Sequence, residues 1–307
     1  MISPRITLEQ WRAFHAVVEH GGYAQAAAAL NKSQSTLSYA VQKLEHLLGV
    51  EVLAVSGRKA HLTEAGEVLL RRSRQLLDSA LAVEKLAANL AQGVEPVVYL
   101  AVEVIFPYEE LLCLLATFSE RFPETRVELA ESVLSGGHDL LLQGQVDVLV
   151  SSLVPPGFVG EPLMQVEFCC VAHPDHPLHR LGRELTLEDL KQQRQIVTRD
   201  SGSQRRFSAP WLEAEQRWTV TNITTAIRAL ASGLGFAWVP TRRIEKELAQ
   251  GELLPLPLRE GGQRVAQLYL VYRDRDGAGP ATRCLVDLLL ERGKAMDGDR
   301  APNRGEE

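Results

Sequence analysis

The chain has 307 residues, 45% hydrophobic and 23% charged, with a formal net charge of −6 at pH 7. That is material for two or three folded units, and it excludes a chain that stays disordered. The charge is uneven: residues 1–63 hold six Lys/Arg against four acids, residues 64–93 are balanced and the rest carries −8, which suits a nucleic-acid-binding head on a body that stays off phosphate.

In chain order, Leu8, Trp11, Phe14, Val17 and Val18 share one face at helical spacing until Gly21-Gly22 stops the helix. A second short helix runs from Tyr23 to Leu30, and its alanine block lets a neighbouring helix approach closely. Asn31-Lys32 is the turn. Ser33 caps a third helix, in which Leu37, Val41, Leu44 and Leu48 recur on one face before Gly49. Two short helices joined by a tight turn and braced by a third are a helix-turn-helix. A polar face alone would read as solvated surface; the alanine-rich partner and the turn spacing favour a recognition helix instead. Its DNA-facing candidates are Lys32, Ser33, Gln34, Ser35, Ser38, Tyr39, Gln42 and Lys43, donors and acceptors for base edges and phosphates.

After Gly49, "VEVLAVSGRKAHLT" reads as two strands turning at Ser56-Gly57, a wing that brings Arg58 and Lys59 to backbone phosphate. A long helix follows from Thr63 to about Gln92. Leu62, Leu69, Leu76, Val83 and Leu90 fall seven residues apart along it, with Ser73, Ala80 and Ala87 between them. A strict seven-residue repeat marks a helix that packs on a partner helix, so Leu69, Leu76, Val83 and Leu90 are the candidate dimer seam.

Ala27-Ala28, Leu30, Ser33-Gln34-Ser35, Ser38, Leu44-Glu45, Leu48-Gly49, Gly57-Arg58, Leu62-Thr63 and Ala65-Gly66 together resemble the LysR-type transcriptional regulators over the first third of the chain. The resemblance implies an α/β protein with a winged helix-turn-helix head (1–63), a dimerising linker helix (64–93), a two-lobed, periplasmic-binding-protein-like effector domain (94–300) and a short tail (301–307). It implies as partners double-stranded DNA at an interrupted dyad, a small-molecule effector, further copies in a homodimer or homotetramer, and RNA polymerase. Three positions depart from the family pattern: Gly22 stands where Ser is usual, Leu53 where Phe is usual, and Val55 where Arg is usual, which shifts the wing's electrostatics onto Arg58 and Lys59.

From Glu95 the pattern alternates strands and helices. "PVVYLAV", "TRVELAES" and "VDVLVSS" read as buried strands, with helices at Glu109–Phe122 and 137–143 between them. "VEFCCVAH", "QIVTR", "QRWTV", "GFAWVP" and "QLYLVY" are further strands. "TLEDLKQQ", "TTAIRALASG", "TRRIEKELAQG" and "PATRCLVDLLLERG" are further helices. Two α/β lobes follow, with chain crossings expected near Pro162–Gln165 and Leu258–Gln267. Ligands of open α/β sheets sit beyond the carboxyl ends of strands. By similarity to the family, those ends face an interlobe cleft: Glu103, Val104, Ser132, Ser151, Thr198, Ser201, Ser203, Thr221 and Asn222. Glu103 replaces the family's usual small hydroxyl, and a carboxylate there favours a cationic or hydrogen-bond-donating effector over a simple carboxylate. Pairing of Glu103 with Arg205 or Arg206 would be the structural alternative.

No metal or cofactor is expected. His173, His176 and His179 lie three apart in "HPDHPLH" but have no Cys/His partner cluster, and "GLGF" at Gly233–Phe236 lacks the third glycine of a dinucleotide loop. An enzyme on a Rossmann-like core is disfavoured by the lack of a phosphate loop, a nucleophile elbow or a catalytic pairing. Cys169-Cys170 permits a thiol-based redox regulator on the same scaffold, against two small residues on opposite faces of a strand. The family's peroxide sensors place their cysteines further along the second lobe, where residues 171–283 hold none. No apolar run reaches bilayer length and the opening residues lack the order of a secretion signal, so a cytoplasmic protein without a membrane partner is expected.

Overall fold

The structure is a computed structural model, and it describes residues 4–56, 59–203 and 211–298. It resolves into one unit over residues 1–91 and another over residues 92–307.

In the first unit, α1 (Leu8–Glu19) begins at Thr7, whose hydroxyl accepts the Gln10 N–H while the Gln10 side chain returns to the Thr7 N–H. Helix α2 (Tyr23–Ala29) follows Gly22, which supplies no side-chain cap. Asn31, at φ 51°, turns the chain into α3 (Gln34–Leu48), and Gly49 ends that helix at φ 74°. The alanines do what their size permits: Ala26 and Ala27 are buried against Leu37, Val41 and Leu44 of α3 and Trp11, Phe14 and Val17 of α1. Strands β1 (Leu53–Ser56) and β2 (Lys59–Leu62) pair antiparallel. Thr63 then caps α4 (Glu64–Ala91): its hydroxyl accepts the Gly66 N–H at 2.9 Å and donates to Glu51 O at 2.7 Å. Gly66 is a forced choice, because a Cβ there would stand 2.1 Å from Val52 O.

The second unit is built on one nine-stranded sheet with path β4-β3-β5-β11-β6-β9-β7-β8, and the short β10 (Leu254–Pro255) pairs with β6. In lobe 1, β3 (Val97–Glu103), β4 (Arg126–Ser132) and β5 (Val148–Ser151) run parallel. Alternation along β3 sends Val98, Leu100 and Val102 against α5 (Tyr108–Arg121) and α10 (Pro280–Gly298). Ala101 faces the other way, onto the core beneath α6 (Gly136–Leu142). In lobe 2, β7 (Arg194–Thr198), β8 (Gln216–Val220) and β9 (Phe236–Pro240) carry α7 (Leu187–Lys191) and α8 (Ile223–Ala231).

Two long strands carry the chain between the lobes. Strand β6 (Gly160–Ala172) and strand β11 (Gln263–Tyr272) pair antiparallel along their lengths, with a register shift at Leu268/Tyr269. The far half of β11 pairs with β5, and the far half of β6 with β9. The second crossing therefore lies along β11 itself, displaced toward the C-terminus of the expected segment. The stretch expected as one helix from Thr241 is instead a 3-10 turn (Thr241–Arg243) and a short α9 (Glu245–Ala249). Between them Ile244 is fully buried in the lobe 2 core, and its φ of −126° breaks the helix.

Candidate DNA-binding helix and effector cleft

Helix α3 has one clamped face and one open face. Leu37, Val41 and Leu44 are buried, while Gln34, Ser35, Tyr39, Gln42 and Lys43 are exposed and Ser38 is half-buried. Gln34, Ser38 and Gln42 form one row at four-residue spacing, and Ser35, Tyr39 and Lys43 form the next. Tyr39 is 65% exposed, with the Lys43 ammonium 5.9 Å from its ring centroid. The first turn is self-organised. Ser33 Oγ accepts the Thr36 N–H at 3.1 Å and lies 2.8 Å from Ser35 Oγ and 2.7 Å from Thr36 Oγ1, so Ser33 serves as a cap with its hydroxyl engaged locally. Lys32 forms an ion pair with Glu9 of α1. The exposed Thr36 hydroxyl joins this cluster, and its position three residues after the cap was the available signal.

Glu45, on the inner side of α3, accepts the N–H groups of Val52 and Leu53 at 2.8 and 3.2 Å and so sets where β1 leaves the helix. Arg58 and the side chain of Lys59 lie outside the described residues. On α4, Ser73 is buried against His15 of α1, and Leu69 packs on the head's own core. Leu76, Val83 and Leu90 are 47%, 66% and 50% exposed.

In the second unit the lobe 1 strand ends converge. Register places Glu103 beside Ser132, and the Glu103 carboxylate accepts the Ser152 N–H at 2.6 Å and the Ser151 hydroxyl at 3.3 Å. Glu103 is only 2% exposed; burial pushes its carboxyl above the usual carboxylate range, against the hydrogen bonds from Ser152, Ser151 and Leu134. Ser132 Oγ is buried and bonded to no described residue. Val104 packs against the cores of both lobes.

Lobe 2 reaches across to the loop after β4. Ser201 pairs with Val133, its hydroxyl accepting the Val133 N–H at 2.9 Å and its own N–H donating to Val133 O at 3.2 Å. The Ser203 N–H donates to Asp139 at 2.6 Å. Between these sits an unforeseen contact: Asp200 accepts from the Ser135 N–H at 3.0 Å and the Ser135 hydroxyl at 2.9 and 2.7 Å. The two loops that meet there are rich in glycine and serine, "SGG" at 135–137 and "SGS" at 201–203, but nothing in that composition pairs one with the other. Thr198 is half-buried, Thr221 is exposed, and Asn222 is engaged in capping α8 through the Thr224 N–H at 2.7 Å. Arg205 and Arg206 lie outside the described residues. A separate open groove of about 610 Å³ runs between α5 and the α8–α9 region, lined by Tyr108, Glu131, Arg228, Arg242 and Arg243 among others, and none of the expected effector residues borders it.

Residues 8–67 match the profile of the bacterial regulatory helix-turn-helix protein, lysR family, and residues 91–294 match the LysR substrate binding domain. The chain belongs to the LysR family of transcriptional regulators. It is 32% identical over 244 residues to the uncharacterized HTH-type transcriptional regulator YeeY of Escherichia coli (strain K12), covering 78% of this chain and 79% of that one. It is 31% identical over 253 residues to the HTH-type transcriptional regulator YhaJ of Escherichia coli O157:H7, covering 81% and 85%. In structure it is similar to CrgA, a LysR-type regulator from Neisseria meningitidis, with a TM-score of 0.53, 24% identity and coverage of 93% and 98%. The two profile matches give this LysR-type regulator a helix-turn-helix DNA-binding head and an effector-binding domain, and the relatives named here are transcriptional regulators rather than enzymes.

In this LysR-type regulator Cys169 and Cys170 point to opposite faces of β6, Cys169 into the core beneath α8 and Cys170 into the core around Phe236 and Trp211. Burial raises both thiol pKa values, which disfavours the reactive thiolate. His176 is buried and its Nδ1 accepts the Leu178 N–H at 3.3 Å; burial lowers its pKa to about 4. Among the described residues no group of three or more His, Cys, Asp or Glu is placed to hold a metal ion, and no helix is long and apolar enough to cross a membrane. "GLGF" is the stop of α8, with Gly233 at φ 74°, followed by entry into β9.

Proposed function

We propose that this LysR-type regulator works in the cytoplasm as a homo-oligomer that reads an interrupted DNA dyad through α3 and switches transcription when a small molecule binds between the lobes. What carries this is α3 itself: two rows of polar side chains, all exposed but the half-buried Ser38, on a helix whose opposite face is locked by Leu37, Val41 and Leu44. Residues 1–63 are the DNA-binding head, 64–93 the dimerising helix, 94–300 the effector domain and 301–307 a tail; the tail and residues 299–300 before it lie outside the described residues. Gln34, Ser35, Ser38 and Gln42 select sequence. Lys43, Arg58, Lys59 and Lys32 (once exchanged from Glu9) supply salt-dependent phosphate contact, with Tyr39 beside them and Ser33 holding the helix start. Leu76, Val83 and Leu90 form the exposed part of the dimer seam, which Leu69 joins to the head.

The effector sits against Glu103, Val104, Ser132, Ser151, Thr198, Ser201, Ser203, Thr221 and Asn222. The buried Ser132 hydroxyl beside a buried carboxylate favours a ligand that donates hydrogen bonds or carries positive charge. Ligand acts by favouring one oligomer geometry over another, and through it the contact with RNA polymerase. Selection of bound duplexes from a random-sequence pool by the purified protein tests the DNA reading. Two half-sites in dyad relation at fixed spacing are expected; a pool without enrichment, or with a single unrepeated half-site, would contradict it. Thermal-shift screening of small amines and carboxylates, with Thr221→Ala as control, tests the cleft reading.

A further inference from the structure

The loop from Val133 to Gly136 is the meeting point of two carboxylates, one from each lobe. Leu134 adopts φ 50°, a left-handed conformation that a leucine enters only at a cost. This turn divides successive N–H groups: Leu134 bonds Glu103 of its own lobe, and Ser135 bonds Asp200 of the other. Asp200 is 6% exposed and also accepts the Gly202 N–H at 2.9 Å. Among the described residues its oxygens take the Ser135 hydroxyl and N–H from lobe 1 and the Gly202 N–H from their own loop, and the two lobe 1 donors are of the kind a bound carboxylate asks for. The fit is close on both sides. A Cβ on Gly136 would stand 1.9 Å from Ser201 Oγ, and a Cβ on Gly202 would stand 2.1 Å from Ser135 Oγ.

We propose that Asp200 is a tethered internal ligand: the Ser135 niche of lobe 1 is a carboxylate site, and the chain fills it from lobe 2, latching the lobes closed without effector. This rests on the reading of the interlobe seam as the effector cleft. Asp200 gives the seam an anionic occupant of its own, covalently attached and therefore present at high effective concentration. A free carboxylate must displace Asp200 to bind, whereas a donor or cation at Glu103 and Ser132 need not. The niche and the Glu103 corner thus belong to different ligand chemistries.

Chemical rescue tests the latch in the full chain. Melting is followed by tryptophan fluorescence, since Trp211, Trp218 and Trp238 are three of the four tryptophans and all lie in the second unit. Asp200→Ala is expected to melt below wild type. Sodium acetate, compared with sodium chloride at equal ionic strength, is expected to raise its melting temperature by about 2 °C or more at ~100 mM. Wild type should show no such gain, because its niche is filled. Asp200→Asn keeps the volume and removes the charge, so it should melt below wild type and gain nothing from acetate. An Asp200→Ala protein indifferent to acetate would overturn the proposal, and so would an Asp200→Asn protein as stable as wild type. If Asp200→Ala does not fold, the Asp200→Asn result decides. Neither failure touches the cleft reading, which falls only if effector response survives the Thr221→Ala change and its neighbours unchanged.

Discussion

His15 Nε2 and Ser73 Oγ lie 2.8 Å apart, joining α1 of the head to α4 across a buried contact. The Ser73 hydroxyl donates to Leu69 O at 2.7 Å, so it accepts from His15, which fixes the imidazole proton on Nε2. Burial lowers the His15 pKa, keeping it neutral in the folded head. Replacing Ser73 by Ala leaves that N–H buried without a partner and should destabilise the head by about 1–3 kcal/mol. Chemical denaturation read through Trp11 measures it. A lowered histidine pKa also means that protonating His15 costs more in the folded head than in the unfolded chain, so the head's stability should fall as pH drops through about 6.5.

Glu45 ties the wing to the recognition helix through Val52 and Leu53. Glu45→Ala removes the acceptor of two N–H groups, at a cost of about 1–3 kcal/mol to the head. DNA affinity should fall further than stability predicts, because the wing loses its exit angle. Parallel melting and binding curves test this; equal affinity at full folding would refute the coupling.

Legibility in the sequence followed periodicity. The apolar spacing of Leu37, Val41 and Leu44 and the alanine block were enough to pair α2 with α3, since repeat and residue size act locally. The strand ends at Glu103, Ser132 and Ser151 were equally readable, because alternation stops where the sheet stops. The Asp200–Ser135 contact was not, since it joins residues 65 apart through loops whose register no repeat encodes. The break at Ile244 was missed for a related reason: a helical pattern with a core-seeking β-branched residue gives way to tertiary burial. The role of Ser73 was likewise ambiguous. Its small size within the seven-residue repeat suited a partner helix, but a buried histidine on α1 takes it.

Glu103 supplies a pH signature. Its carboxyl pKa is raised by burial, so the folded chain binds its proton more tightly than the unfolded chain does. Its contribution to stability then falls as pH rises above the unfolded carboxylate value of 4.5. Glu103→Gln cannot ionise. The melting temperature of Glu103→Gln relative to wild type should therefore climb from pH 4.5 toward neutrality. A difference that stays flat, or narrows, over that interval would show that the carboxylate is fully compensated by its donors.

The most direct test of the central claim, that α3 reads DNA through its two exposed rows, is a fluorescence-anisotropy titration at two salt concentrations. Wild type, Gln42→Ala and Lys43→Ala are compared on a selected duplex and a scrambled one. Gln42→Ala should lose about 1–3 kcal/mol of discrimination while binding the scrambled duplex as before. Lys43→Ala should weaken both duplexes alike and reduce the salt slope by about 1. Discrimination and salt slope that both survive the two substitutions would contradict the assignment of α3 as the recognition helix.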